Sequence, residues 1–140
     1  MQPIIIEHAG AIRGKERPRA TIRGGRAAVY TSAKQNRAEA SVRASAMQVP
    51  LPAPFSGPVS VSVRIFRAMP VSWSKKKKTA LHGCWIDGKP DSDNVLKTIF
   101  DAFNGLLWLD DKQVAKFDYE QIWADISSAR IVVSALTPQP

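Results

Sequence analysis

Apolar and polar residues alternate most regularly along Val59-Ser-Val-Ser-Val-Arg-Ile-Phe-Arg67. A period of two predicts a β-strand with Val59, Val61, Val63 and Ile65 on one face. The pattern changes over residues 92–104. At 100° per residue, Val95, Leu96, Ile99, Phe100, Ala102 and Phe103 gather on one side there. Asp93, Asn94, Lys97, Thr98, Asp101 and Asn104 fall on the other, and Gly105 is placed to end the helix.

The remaining chain divides around these two elements. Ile4-Ile5-Ile6 marks a first strand. Residues 13–26 carry Arg13, Lys15, Arg17, Arg19, Arg23 and Arg26, interrupted by Pro18 and Gly24-Gly25, as expected of a basic arm or hairpin with a glycine turn. Ala27–Tyr30 reads as a short returning strand. Thr31 or Ser32 can cap a helix over about 33–47. The segment 49–58 is too rich in proline for a helix and is expected on the surface. A short basic helix is expected near 72–82. Gln113–Trp123 and Ala129–Leu136 read as closing strands around a turn at Asp125–Ser128. The order predicts one domain over residues 1–140, of mixed α/β (α+β) class, with a small mixed sheet packed against two main helices.

Composition changes what this domain is expected to meet. The 140 residues are 44% hydrophobic, enough for a core, yet the net charge is +8. Such charge favours nucleic acid as partner, with a membrane surface as the weaker alternative. No apolar run approaches the ~20 residues of a spanning helix. The N-terminus lacks a basic stretch followed by an apolar one, so no signal peptide is expected. The single cysteine, Cys84, is read as excluding an internal disulfide and any thiolate zinc site. A cytoplasmic location is the expectation.

Against this basic background, five aspartates crowd into residues 91–111: Asp91, Asp93, Asp101, Asp110 and Asp111. In extended backbone Asp91 and Asp93 point the same way and can reach one cation. Asp111 must fold back across residues 105–110 to join them. Magnesium takes oxygen ligands, keeps several waters and often uses few carboxylates together with substrate phosphate. A bland reading competes. Aspartate at a helix start commonly caps free N–H groups, Asp93 and Lys97 are spaced for a solvent-facing ion pair, and Asp110-Asp111 fits a turn. On spacing alone, capping carries more weight.

Lys89-Pro-Asp-Ser-Asp-Asn-Val-Leu-Lys97, then Asp101-Ala-x-Asn-Gly105 and Trp108-x-Asp-Asp-x-Gln-Val114, resembles the motif set of the RusA family of Holliday junction resolvases. Arg17-Pro-Arg19, Val29-Tyr-Thr31 and Pro70-x-Ser-Trp-Ser-Lys-Lys-Lys77 resemble its longer, phage-type members. The resemblance touches most of residues 13–120. It implies magnesium held by Asp91, Asp93 and Asp111, with Lys97 assisting catalysis and Asp110 as the second member of its pair. It also implies a homodimer acting on branched DNA. Glu16 departs from the pattern, where many relatives carry glycine before Arg-Pro-Arg.

The basic segments are then the expected DNA surface: Arg17, Arg19, Lys75, Lys76, Lys77 and Lys78. Trp73 and Trp85 are candidates for contact with unstacked bases, though packing is the commoner role. Trp108 and Trp123 are expected in a core or an interface, and Phe55, Leu106, Leu107 and Trp108 supply apolar surface suited to a dimer. His82 is expected on the surface, Cys84 in packing, and His8 carries no signal. Together these features predict a Mg²⁺-dependent endodeoxyribonuclease making paired nicks in four-way junctions. The rivals are a metal-dependent nuclease for flaps or other branched DNA, and a basic nucleic-acid-binding module without catalysis.

Overall fold

The computed structural model describes residues 2–15, 19–30, 32–88 and 91–137. Its elements run β1 (Ile4–Ala9), β2 (Arg19–Arg23), β3 (Arg26–Tyr30), α1 (Ala33–Ala46), β4 (Val59–Ala68), α2 (Lys75–Leu81), α3 (Ser92–Phe103), β5 (Val114–Ala124) and β6 (Ser128–Ala135). The alternating segment became β4, at the interior of a four-stranded sheet ordered β1-β6-β4-β5. β6 lies antiparallel to both β1 and β4, whereas β4 and β5 are parallel. Parallel neighbours need a crossover connection, and the one between β4 and β5 contains α2 and α3. β2 and β3 form a separate hairpin. Its turn is Gly24-Gly25, with φ of 57° and 77°, a conformation that suits glycine in a two-residue hairpin loop.

The apolar faces meet as the periodicity requires. Val59, Val61 and Val63 are fully buried, and so are Val95, Ile99 and Phe103 of α3. α1 contributes Val42 and Ala46 to the same core. Ser32 caps α1, its hydroxyl accepting from the Gln35 N–H at 3.1 Å. The opposite sheet face is polar: the Ser62 hydroxyl donates to Asp118 at 2.7 Å, and Arg64 pairs with Glu120 at 2.9 Å. The class is single-domain α+β, with α1 and α3 as the main helices on the mixed sheet.

Two expectations change in three dimensions, and a residue without one acquires a role. Phe55, Leu107 and Trp108 are buried within the chain's own core, and Leu106 packs against it. The loop after α3 folds inward there: Phe55 N–H bonds Leu107 C=O at 2.8 Å, and Trp108 Nε1–H donates to Asn104 Oδ1 at 2.8 Å. Thr98, assigned to the polar side of its helix, is buried. Its hydroxyl donates to Arg13 C=O at 2.8 Å and lies 3.3 Å from Gln35 Nε2. His8 is buried too, with Nδ1 2.7 Å from the Ser45 hydroxyl, and burial lowers its pKa.

Candidate active site

The start of α3 brings Asp91 and Asp93 together. Asp91 occupies the cap position with extended backbone (φ −63°, ψ 141°), but its side chain makes no capping hydrogen bond. Asp93 sits in the first helical turn, and both residues are exposed. Lys97 follows one turn later, also exposed, and forms no ion pair with Asp93 among the described residues. The two structural roles that would explain these side chains, capping and i,i+4 pairing, are therefore not exercised.

Helical spacing continues the stripe Asp93–Lys97 to Asp101. Asp101 forms an ion pair with Lys15, whose Nζ is also 4.0 Å from Glu39. The Lys15 N–H donates to Asn94 C=O at 2.9 Å, which fixes the segment after β1 against α3. Asp101 stands in the motif Asp101-Ala-x-Asn-Gly105 but receives no site role from it. Its signal was the four-residue spacing from Lys97.

Asp110 and Asp111 take different roles. Asp110 caps the short 3-10 turn Asp111–Gln113, accepting from the Lys112 N–H at 2.9 Å. That backbone hydrogen bond holds its carboxyl below the usual aspartate range. Gln113 closes the capping box and donates to Phe55 C=O and Gly57 C=O at 2.7 and 2.9 Å. Asp111 is pushed the other way. Burial raises its pKa first, then the hydrogen bond and charge of Asp110 and the charge of Asp101, with Lys15 opposing.

The electrostatic neighbours of Asp111 thus lie toward the second half of α3. Eight residues separate Asp93 from Asp101, about 12 Å along a helix. Among the described residues, no three Asp, Glu, His or Cys side chains converge as a metal cage. Among the described residues, Asp91 and Asp93 stand at the start of α3, and Asp111 lies near Asp101 and Lys15.

A family model for endodeoxyribonuclease RusA matches residues 9–134. The chain belongs to the RusA endodeoxyribonuclease family. It is also similar to the uncharacterized protein YqaN of Bacillus subtilis (strain 168), with 33% identity over 121 residues, covering 84% of this chain and 85% of YqaN. The RusA match extends beyond the motif-bearing stretch at both ends and takes in all of β5 and nearly all of β6.

In this RusA-family chain the basic helix α2 stands clear of the core, with none of its residues buried. Ser74 caps it, accepting from the Lys77 N–H at 3.1 Å. Lys77 Nζ lies 4.3 Å from the centre of the Trp73 ring, a cation–π contact. Trp73 in turn meets Trp123 edge to face, with centroids 4.8 Å apart. Trp85 is 72% exposed, while its backbone bridges to Ile122 of β5. Cys84 is exposed rather than packed inside, and His82 lies at the surface, 3.7 Å from Asp125. Arg17 and the side chain of Arg19 lie outside the described residues. No helix among the described residues is long and apolar enough to cross a membrane.

Proposed function

We propose that this RusA-family protein is a Mg²⁺-dependent endonuclease that resolves four-way DNA junctions as a homodimer. The observation that carries the proposal is the idle pair Asp91 and Asp93. Two exposed carboxylates share the end of a helix, and among the described residues neither makes a side-chain cap or an ion pair with a lysine. Their chemistry fits magnesium, which needs few protein carboxylates because water and substrate phosphate complete its shell. Asp91 and Asp93 would hold the ion. Asp111 would join through the arrangement adopted with DNA or a second subunit.

Bound magnesium supplies an activated water and offsets negative charge on the phosphate being cut. The chain's own residues do the rest. Lys97, one turn along the stripe, offers its ammonium to the phosphate oxygens as charge develops. Asp101 holds Lys15, which limits the charge that Asp111 feels. The α2 lysines hold the duplex arms through phosphate contacts. A four-way junction is two-fold symmetric, and a two-fold dimer presents two identical sites for matched nicks.

The test is a labelled synthetic four-way junction incubated with and without Mg²⁺, beside flap and linear duplex substrates. Symmetric paired nicks that require the metal are expected only on the junction. Equal or better cleavage of flaps would transfer the protein to another structure specificity. Binding without metal-dependent cleavage of any substrate would leave a basic DNA-binding module.

A further inference from the structure

A cleft of ≈ 990 Å³ opens beside Asp91, where the carboxyl end of β4 and the start of α3 diverge. Arg13 and Lys15 line one wall, Arg67 and Trp123 the other, and Asp91 and Asn94 lie at the helix end. Arg67 and Trp123 are register partners on neighbouring parallel strands, so their side chains leave the sheet on the same face. None of Arg13, Lys15, Arg67 or Trp123 belongs to the motif residues or to the lysine run.

We propose that this cleft is a nucleotide subsite, which receives one unstacked nucleotide of the DNA strand next to the phosphate to be cut. The proposal rests on the nuclease reading for its orientation, because Asp91 forms one end of the cleft. Three further observations support it. First, the wall chemistry is that of a nucleotide: cations for phosphate and an indole for a base. Second, the cations are held in place before any ligand arrives. Lys15 is paired with Asp101, and Arg67 lies beside the Tyr119 hydroxyl, which itself donates to Gln121 at 3.0 Å. Third, the cleft is continuous with the lysine helix. Trp123 touches Trp73, and Trp73 carries Lys77 over its ring. A strand held at α2 therefore has an aromatic path into the cleft toward Asp91. The volume lies at the upper end of the ~300–1,000 Å³ range of small-molecule sites, room for a nucleotide with water.

The experiment measures binding of a labelled single-stranded decathymidylate in the absence of divalent metal, and of the same strand with central abasic residues. Variants Trp123→Leu, Trp123→Phe and Arg13→Gln are compared with the full chain as it stands. Trp123→Leu should weaken binding of the intact strand about tenfold, within the range for one stacked base, and Trp123→Phe should retain most of it. The abasic strand should bind the unaltered protein more weakly and lose its distinction from the intact strand in Trp123→Leu. Arg13→Gln, on the opposite wall, should lower the salt slope by about 0.7. It decides the matter should Trp123→Leu fail to fold by thermal melting. Unchanged affinity and slope in Arg13→Gln, with equal binding of intact and abasic strands, would overturn the subsite. Junction cleavage by the unaltered protein is scored separately. Cleavage with an inert cleft removes only the subsite, whereas a working cleft without cleavage of any DNA removes only the nuclease reading.

Discussion

At the scale of single residues, the acidic positions separate by what each carboxylate does in the folded chain. Among the described residues the side chains of Asp91 and Asp93 make no cap and no ion pair, and Asp93 contributes only its charge to the first turn of α3, so Asp91→Asn and Asp93→Asn should melt within a few degrees of the unaltered protein. Cleavage should fall by at least a hundredfold while junction binding is kept or strengthened, because the change removes repulsion of phosphate. Near-normal cleavage by Asp91→Asn would refute its assignment. Lys97 and Thr98 are adjacent but face opposite ways. Lys97→Ala should lose cleavage at unchanged melting temperature. Thr98→Val should lower stability by about 1–3 kcal/mol, because it removes the buried hydroxyl's bond to Arg13 C=O. Full activity in Lys97→Ala would return it to a surface role.

Asp110 and Asp111 carry opposite pH signatures. Folding raises the Asp111 pKa, so the folded chain holds that proton more tightly than the unfolded one. The stability this contributes is present below the ordinary aspartate value of about 3.9 and is lost as pH rises through the raised value. In the metal-free protein at neutral pH, Asp111→Asn should therefore raise the melting temperature, and the difference should vanish near pH 3. Asp110 has a lowered pKa. Its contribution is present above the ordinary value and fades as pH falls through the lowered one. Asp110→Ala should lower the melting temperature at neutral pH, because the cap of the 3-10 turn goes with it. Melting curves of both variants at two pH values would decide, and equal behaviour of the two would contradict the division of roles.

At the scale of elements, α3 and α2 make a contrast. The stability of α3 comes from burying its apolar stripe against β4 and α1, which leaves its polar stripe available for chemistry. α2 has no buried residue and is held by a Ser74 cap and the Lys77–Trp73 contact. Apart from Lys77, which rests on Trp73, its lysines are surface charge. Replacing all four by alanine should leave the fold intact and weaken binding to every DNA shape. It should also flatten the dependence of log affinity on log salt by ~0.9 for each duplex phosphate no longer neutralised. An unchanged slope would make α2 a solvated helix.

At the scale of the whole molecule, Asp91 and Asp93 lie at the start of α3, whereas Asp111 feels the charge of Asp101 toward its other end, and the proposed dimer is what the following measurements test. The buried positions of Phe55, Leu107 and Trp108 exclude them from any interface. Exposed apolar residues lie elsewhere: Phe117 on β5, and Ile22 and Val29 on the β2–β3 hairpin. Sedimentation at micromolar concentration should give about twice the chain mass of 15.4 kDa. A mixed dimer with one Asp93→Asn subunit should nick one strand of a junction and spare its partner. A monomer that makes both symmetric cuts would contradict the mechanism.

The elements were legible from the amino-acid order because their causes are local. Period-two alternation gave β4 its buried face, the 3.6-residue stripe gave α3, Thr31 or Ser32 offered a cap for α1, and Gly24-Gly25 gave a turn that other residues adopt poorly. The placement of Asp91, Asp93 and Lys97 on one helix start was legible for the same reason. Packing settled what depends on residues distant along the chain. It made β5 parallel to β4, turned Thr98 inward to meet Arg13 and Gln35, and buried the apolar loop after α3. It split Asp110 from Asp111 by giving one a backbone N–H and the other a partly buried, like-charged neighbourhood. It also brought Arg13, Arg67 and Trp123, from three separate segments, to the walls of one cleft beside Asp91. Spacing along a chain reports neighbours on one element, whereas a cleft is a property of how elements pack.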